Sequence, residues 1–420
     1  MRAWVIKTGE PVPYLPAESG DRLFRTGLMA QTLMDAGHEV TWWTGQFHHQ
    51  LKHHRDVQPD RVLRPSEAGP DMVFLSSRGY RSHITPARFL DHAQVRRGFL
   101  RLASDLPRPD VMICAWPTID LAYAATTFGR AHGIPVVLDI RDLWPDIFYE
   151  RITAKTGLPF KGYFWPWERM GKRAMQNANA VISITQGMLD WAHTRFARET
   201  TNLDRVFYQS QSATPAVPDA EFWQARGVDL AAPKTRLVWS GTLISHLDIQ
   251  TLLAAIETLP QSAADKLEFV FCGSGDLTPR IEEMAARLPH VIYGGWVSQN
   301  ALSALYEASH IGMICYLDRF DFQLSIPNKV ADFTRSGLRT LTNLDGELDR
   351  VLGPHDLLIR YKTGDADDLG AVLRRIADEP ERYRGKTDAG PRLFSELFDA
   401  KVVMAEFVRY VEGIADQGAT

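Results

Sequence analysis

Short, unbroken apolar runs recur along this chain, and the segments between them carry helical spacing. In the first half the runs fall at residues 3–6, 40–43, 72–75, 111–114, 135–140 and 180–184. Such runs suit parallel strands covered on both faces. Residues 23–36 and 121–132 read as helices, each followed by a glycine, Gly37 and Gly133, of the sort that closes a helix. After residue 204 the pattern weakens into a polar stretch with Thr214-Pro215, Val217-Pro218 and Ala232-Pro233, which reads as a linker. A second series of runs follows at 237–240, 269–272, 291–293, 311–316, 339–341 and 357–359. The expected fold is α/β, with two doubly wound, Rossmann-like domains at residues 1–210 and 211–390 facing across a cleft. The tail, 391–420, is amphipathic through Leu393, Phe394, Leu397, Phe398, Met404, Phe407 and Val408. It predicts one long closing helix that packs back on the first domain.

Composition adds exclusions. A chain of 420 residues is long for one core, and 45% hydrophobic with 23% charged residues suits a soluble globular protein. A net charge of −4 gives no general attraction to nucleic acid. Cys114, Cys272 and Cys315 lie in apolar runs without metal-ligand spacing, as buried reduced thiols of a cytoplasmic protein would. The first ten residues are too polar for a signal peptide, and no apolar run approaches the ~20 residues of a membrane helix. Any membrane contact is expected to be peripheral, at the inner face of the plasma membrane.

The stretch 310–343 carries most of the chemistry. It predicts a strand, a loop through Ser325-Ile326-Pro327-Asn328-Lys329, a short helix closed by Gly337 and another strand. Asn328, Lys329 and Asp332 then stand where a loop enters a helix at the mouth of a parallel sheet. Unpaired N–H groups and the helix dipole welcome an anion there. Lys329 adds a point charge for phosphate, and Asp332 can accept from ribose hydroxyls. A solvated lysine and an ordinary first-turn acid explain the same residues equally well. Gly241-Thr242 and Gly273-Ser274-Gly275 follow two other strands, where glycine lets backbone approach a diphosphate. One such turn is weak evidence, whereas three at successive strand ends favour a nucleotide diphosphate. The dinucleotide fingerprint is missing after the first run, which continues Lys7-Thr8-Gly9-Glu10-Pro11. No Asp-x-Asp of metal-ligand character sits at a strand end, so metal-independent chemistry is expected.

Several stretches resemble one family. Phe269-Val-Phe-Cys-Gly-Ser-Gly-Asp276, His290-Val-Ile-Tyr-Gly-Gly-Trp-Val297 and Leu302-Ser-Ala-Leu-Tyr-Glu-Ala-Ser-His310 are similar to the nucleotide site of GT-B glycosyltransferases of family 4. Ile326-Pro-Asn-Lys-Val-Ala-Asp-Phe-Thr-Arg-Ser-Gly337 resembles the form found in the bacterial polysaccharide (capsule and O-antigen) branch. Ala36-Gly-His-Glu-Val-Thr-Trp-Trp-Thr44 and Val137-Leu-Asp-Ile-Arg-Asp-Leu-Trp-Pro-Asp146 do likewise in the first half. The resemblance implies retaining transfer of a sugar from a nucleotide-diphosphate donor to a glycan or lipid-linked acceptor, with the sugar nucleotide as co-substrate and no cofactor. It places Gly241, Thr242, Gly273, Ser274, Gly275, Trp296, Ser325, Asn328, Lys329 and Asp332 at the donor. Two departures stand out. The family's pair of glutamates becomes Ser325 and Asp332, and its Arg and Lys after the first strand of the second domain give way to Thr242-Leu-Ile-Ser-His246. Lys329 is then the main cation for the diphosphate, with Arg319 or Arg335 as helpers.

On the acceptor side, Asp139, Arg141, Asp142 and Asp146 cluster where the fifth run ends, and the resemblance puts this stretch at the cleft. Asp142 is the candidate for polar contact at the reacting centre; capping a helix beside Trp144-Pro145 accounts for it equally well. Gly20, Asp21 and Arg22 occupy the family's glycine-rich N-terminal loop with one glycine instead of two. His48, His49, His53 and His54 suggest a metal, with His49 and His53 on one helix face, but a polar loop near the acceptor is the better reading. Arginines at 78, 81, 88, 96, 97 and 101, and Tyr163, Phe164, Trp165 and Trp167 among Lys161, Arg169, Lys172 and Arg173, suit an anionic membrane surface or lipid-diphosphate acceptor. A solvated arginine face over packed aromatics suits them slightly better. Two other functions fit the architecture. A nucleotide-sugar 2-epimerase would release an epimerised sugar nucleotide without acceptor, and a non-catalytic sugar-nucleotide binding protein would bind donor without turnover.

Overall fold

The computed structural model describes residues 1–418 except 20, 65, 67, 68, 82–84, 158–163, 213–215 and 246, and leaves the side chains of 151 and 154–156 undescribed. Gly20, Lys161, Tyr163 and Thr214-Pro215 thus lie outside the described residues. The chain divides into two compact units, Met1–Gln209 with Val403–Thr420, and Ser210–Val402.

The N-terminal unit contains β1 (Arg2–Ile6), β2 (Glu39–Gly45), β3 (Phe47–His48), β4 (His53–His54), β5 (Val62–Leu63), β6 (Asp71–Leu75), β7 (Val111–Trp116), β8 (Val136–Ile140), β9 (Ala180–Ser183) and β10 (Arg205–Val206). Eight of them form one sheet in the order β10-β9-β8-β7-β1-β2-β6-β5. It is parallel except where β5 runs against β6. Every residue of β7 and β8 is buried, which is why these strands read as unbroken apolar runs. From β1 the chain runs outward to β2 and β6, then returns to β7 on the other side. The loops after β1 and β7 therefore diverge, and a crevice opens at the carboxyl ends of the strands. The histidine segment is a small hairpin of β3 and β4, not a helix. Phe47 and His48 face a buried environment while His53 and His54 are exposed, an arrangement helical spacing does not provide.

The C-terminal unit holds β11 (Thr235–Ser240), β12 (Leu267–Cys272), β13 (Val291–Gly295), β14 (Ile311–Ile314), β15 (Arg339–Thr342) and β16 (Leu358–Arg360), in the order β13-β12-β11-β14-β15-β16. Its strand order reverses between β11 and β14. The helix Lys329–Arg335 lies close against β14 because Gly312 has no side chain; a Cβ there would stand 2.2 Å from the Phe333 ring. Phe333 is fully buried, so Lys329, one turn earlier, has a fixed starting point over the reversal.

The tail is two helices, Ala389–Leu397 and Ala400–Gly418, where the apolar pattern predicted one. Asp399 makes the break: its carboxylate accepts from Lys401 N at 2.9 Å and starts the second helix as a cap. Met404, Phe407, Val411 and Ile414 of the second helix pack with Ala3, Val5, Met29 and Leu33 in the core of the N-terminal unit. Among the described residues, no helix is long and apolar enough to cross a membrane. All three cysteines are buried and unbridged.

Candidate functional site

In the C-terminal unit the loops after β11, β12 and β13 are sewn together by backbone. Gly241 N donates to Cys272 O at 2.9 Å, Gly273 N to Gly295 O at 2.7 Å, and Leu243 N to Ser274 O at 3.0 Å. The closeness depends on glycine. Gly273 has φ +127°, and a Cβ on it would lie 1.9 Å from Gly241 O. Gly241 itself has φ +125°, and its missing side chain leaves room for Lys329, whose Nζ would lie 3.4 Å from a Cβ there.

Lys329 is the focus of this loop cluster. Its ammonium stands 3.9 Å from the centroid of the Trp239 ring of β11 and 5.6 Å from that of Tyr316, just beyond β14. It has no hydrogen bond or ion pair among the described residues. Burial drives its pKa from 10.5 down to about 7. A desolvated cation resting on aromatic faces, with no counter-charge, is an arrangement that an anion would complete. The other cations expected here are engaged. Arg319 is paired with Asp321 at 2.7 Å, and Arg335 with Asp332 at 2.9 Å and with Ser212 O. One carboxylate oxygen of Asp332 is thus already held. The helix that begins at Lys329 has seven residues and Asn328 makes no side-chain cap, so the dipole expected of it is small and the side-chain charge dominates.

The structure thus brings together Gly241, Gly273 and Lys329, with Ser274 and Gly275 in the same sewn loops. Thr242 is exposed in the loop after β11. Ser325 turns its hydroxyl to Phe322 O at 3.4 Å, and Asn328 contributes its carbonyl to Gln211 at 2.9 Å. Trp296 is 79% exposed beyond β13. Sequence reasoning missed the Trp239 and Tyr316 faces. Trp239 lies two residues before Gly241 on a strand, a position read as core, and nothing in spacing distinguishes a core ring from a ring that carries a cation.

In the N-terminal unit a cavity of about 300 Å³ opens at the carboxyl ends of β1, β2, β6, β7 and β8. Arg141 and Asp142 lie on its wall with His49, whose Nδ1 is 2.6 Å from Tyr80 Oη. The three acids and one arginine at the end of β8 do not form one cluster. Asp139 is fully buried between Arg25 Nε at 3.1 Å and Arg141 Nε at 2.6 Å. Arg141 also reaches Glu10 and donates to Thr26 Oγ1 at 2.8 Å. Burial opposes ionisation of Asp139, but the two guanidinium groups outweigh it and hold its carboxyl below the usual range. Asp146 is drawn away to Arg195 at 2.8 Å. Asp142 accepts from Leu143 N at 2.8 Å on the cavity wall and does not cap the helix Asp146–Thr156, whose N-cap is Pro145. Asp21 is exposed, and the exposed Arg22 lies 5.6 Å from the Phe24 ring.

A candidate cation site at Glu18, Asp21 and His48 has ligand atoms within 4.8 Å of one another. The residues do not suit it. Leu51 N donates to His48 Nδ1 at 3.1 Å, which leaves the proton on Nε2, the nitrogen that faces Glu18 at 3.7 Å. Both Glu18 oxygens are held by Arg55, at 2.7 and 3.1 Å. The stretch of arginines and aromatics is mainly interior packing. Phe89, Phe148, Phe164 and Trp167 contact one another, with Phe89 and Trp167 centroids 4.8 Å apart. Arg101 pairs with Asp60, and Arg96 approaches Asp120 at 3.8 Å.

Residues 24–203 match the family model described as "Glycosyl transferase 4-like domain". No curated protein matches the chain in sequence. Among solved structures, the sucrose-phosphate synthase of Thermosynechococcus elongatus is similar at TM-score 0.70 and 14% identity, covering 99% of both chains. HepE of Anabaena, solved with UDP, gives 0.66 and 10% over 98% of this chain and 99% of its own. The trehalose 6-phosphate synthase of Burkholderia multivorans gives 0.60 and 13% over 99% of both. Residues 24–203 are thus similar to a glycosyl transferase 4-like domain, and the chain as a whole shares the GT-B fold of these solved structures.

Proposed function

We propose that the protein is a retaining, metal-independent glycosyltransferase that moves a sugar from a nucleotide-diphosphate donor to a glycan or lipid-linked acceptor in surface polysaccharide synthesis. The observation that carries this reading is the uncompensated ammonium of Lys329 at the strand-order reversal of the C-terminal unit. In the transfer, an acceptor hydroxyl oxygen bonds to the anomeric carbon as the bond from that carbon to the diphosphate oxygen breaks. The hydroxyl proton leaves with the phosphate oxygens, and negative charge grows on the departing diphosphate. A cation already desolvated stabilises that charge without reorganisation. Gly241 and Gly273 let the diphosphate approach backbone, and Asp332 accepts from the ribose. HepE was solved with UDP-glucose, and such a donor fits the same loops. Asp142 contacts the acceptor on the wall of the N-terminal cavity. Trp165, 61% exposed with Arg169 5.4 Å from its ring, and Lys172 and Arg173 on the same helix, support peripheral contact with an anionic bilayer.

The test is turnover of UDP-, GDP-, ADP- and dTDP-sugars with a membrane and glycan extract. Release of one nucleoside diphosphate only when acceptor is present, with the product's anomeric configuration retained by NMR, supports the reading. An epimerised sugar nucleotide formed without acceptor replaces it with the epimerase reading, and donor binding without turnover replaces it with a binding protein.

A further inference from the structure

The cavity of the N-terminal unit has a charge pattern that the transfer chemistry alone does not call for. Lys7, from the loop after β1, lies on its wall with Arg88 and His92 from the helix Pro86–Ala103. The Lys7 ammonium has no hydrogen bond or ion pair among the described residues. Burial lowers its pKa and Arg141 lowers it further, outweighing the opposite pull of Glu10 and Asp142. Lys52 Nζ stands 5.0 Å from the centroid of the Tyr80 ring, off the cavity wall, buried and without a hydrogen-bond partner among the described residues. The Arg88 guanidinium lies 4.3 Å from the Trp144 ring and 5.4 Å from the Tyr80 ring. Tyr80 lies on the same wall.

The carboxylates nearby are committed. Glu10 is held by Arg141 and by Thr26, Asp91 accepts from Ser77 Oγ and Gly79 N, and Asp142 accepts from Leu143 N. His92 reports the sign of the field that remains. Burial first, then Arg88, Lys7 and His49, drive its pKa down to about 3, and every charge acting on it is a cation. It is neutral, and its buried Nδ1 has no hydrogen-bond partner among the described residues. A wall that carries the ammonium of Lys7 and a neutral histidine whose buried ring nitrogen has no partner among the described residues is built to take up an oxyanion rather than a neutral hydroxyl face.

We infer that the acceptor carries an anionic group, a sugar carboxylate or a sugar phosphate, held in this cavity by Lys7 and Arg88 with a further hydrogen bond to His92. The word acceptor rests on the glycosyltransferase reading; the anion site does not. Lys7 and Arg88 would fix the acceptor's register before transfer, and a neutral sugar is discriminated against because it brings no charge to Lys7.

Calorimetric titrations into Lys329→Met protein, which removes the other unpaired cation, test this with glucose, glucuronate, glucose 6-phosphate and inorganic phosphate at constant ionic strength. Saturable binding of an anionic sugar, absent for glucose, is expected. Lys7→Gln is expected to weaken it about tenfold or more, and Lys7→Arg to restore it. Arg88→Gln gives a second reading should Lys7→Gln not fold. Binding of glucuronate alone assigns a sugar acid, and binding of glucose 6-phosphate and inorganic phosphate alone assigns a sugar phosphate. No saturable binding of any anion, or binding equal in Lys329→Met protein with and without Lys7→Gln or Arg88→Gln, overturns the inference. A separate titration of UDP, GDP, ADP and dTDP into wild type reports on the donor reading, so the two can fail independently.

Discussion

Replacing Lys329 by Met is expected to stabilise the ligand-free protein. The ammonium is partly desolvated with no counter-charge among the described residues, and that costs folding energy. The fall in its pKa from 10.5 to about 7 corresponds to at most ~5 kcal/mol at 1.36 kcal/mol per pH step. Lys329 is only half-buried, so solvent screening reduces this to ~1–2 kcal/mol. Methionine keeps an apolar stem against Trp239, so little packing is lost. For a unit of this size, ~1–2 kcal/mol moves the melting temperature by about 3–6 °C, upward. The effect depends on pH, and its sign follows from linkage. Above pH 7 the unfolded chain still binds a proton that the folded Lys329 releases, so wild-type stability rises between pH 7 and about 10 as the penalty is relieved. The gap between variant and wild type should therefore be largest at pH 7 and below, and close toward pH 10. Differential scanning calorimetry across that range is the assay. A variant that melts below wild type at pH 7, or a gap independent of pH, refutes the picture of a strained, uncompensated cation.

Four further outcomes are expected. Binding a diphosphate should raise the Lys329 pKa again, so the affinity advantage of wild type over Lys329→Met should shrink as pH rises through 7, read by calorimetry. Gly273→Ala should destabilise by more than ~2 kcal/mol in chemical denaturation, since its Cβ would overlap Gly241 O at a positive φ, whereas Gly37→Ala, with open space around it, should cost only ~1 kcal/mol. Asp139→Ala leaves Arg25 and Arg141 buried without their shared partner and should cost ~3–5 kcal/mol or abolish folding, read by circular dichroism. Asp332→Asn should weaken nucleotide binding about fivefold, and a 2′-deoxyribose nucleotide should show no such loss; equal losses for both nucleotides would remove the ribose contact.

Much of the fold was legible because buried parallel strands are written as unbroken apolar runs. Each strand expected at 3–6, 111–114 or 269–272 lies within one found. The two-residue strands β3, β4 and β5 were not legible, since two residues carry no periodicity. The break at Asp399 was hidden because apolar spacing continues across it while a single carboxylate restarts the helix. In the site, Lys329 and the glycines stood out, but the assignment of charge did not. Arg319 and Arg335 are neutralised by acids two and three residues away, a distance at which orientation decides contact. Arg25 and Asp139 meet across more than a hundred residues, and Glu10 and Arg141 likewise, so only the folded chain reveals which acids are committed. The faces of Trp239 and Tyr316 read as core because a ring that packs and a ring that carries a cation share one sequence pattern.

The most direct measurement is isothermal titration of UDP, GDP, ADP and dTDP into wild type and Lys329→Met. The account predicts saturable binding of a nucleoside diphosphate by wild type, weakened about 10- to 100-fold by loss of one charge-assisted contact in the variant. Absence of binding for all four, or equal affinity in wild type and variant, would contradict it.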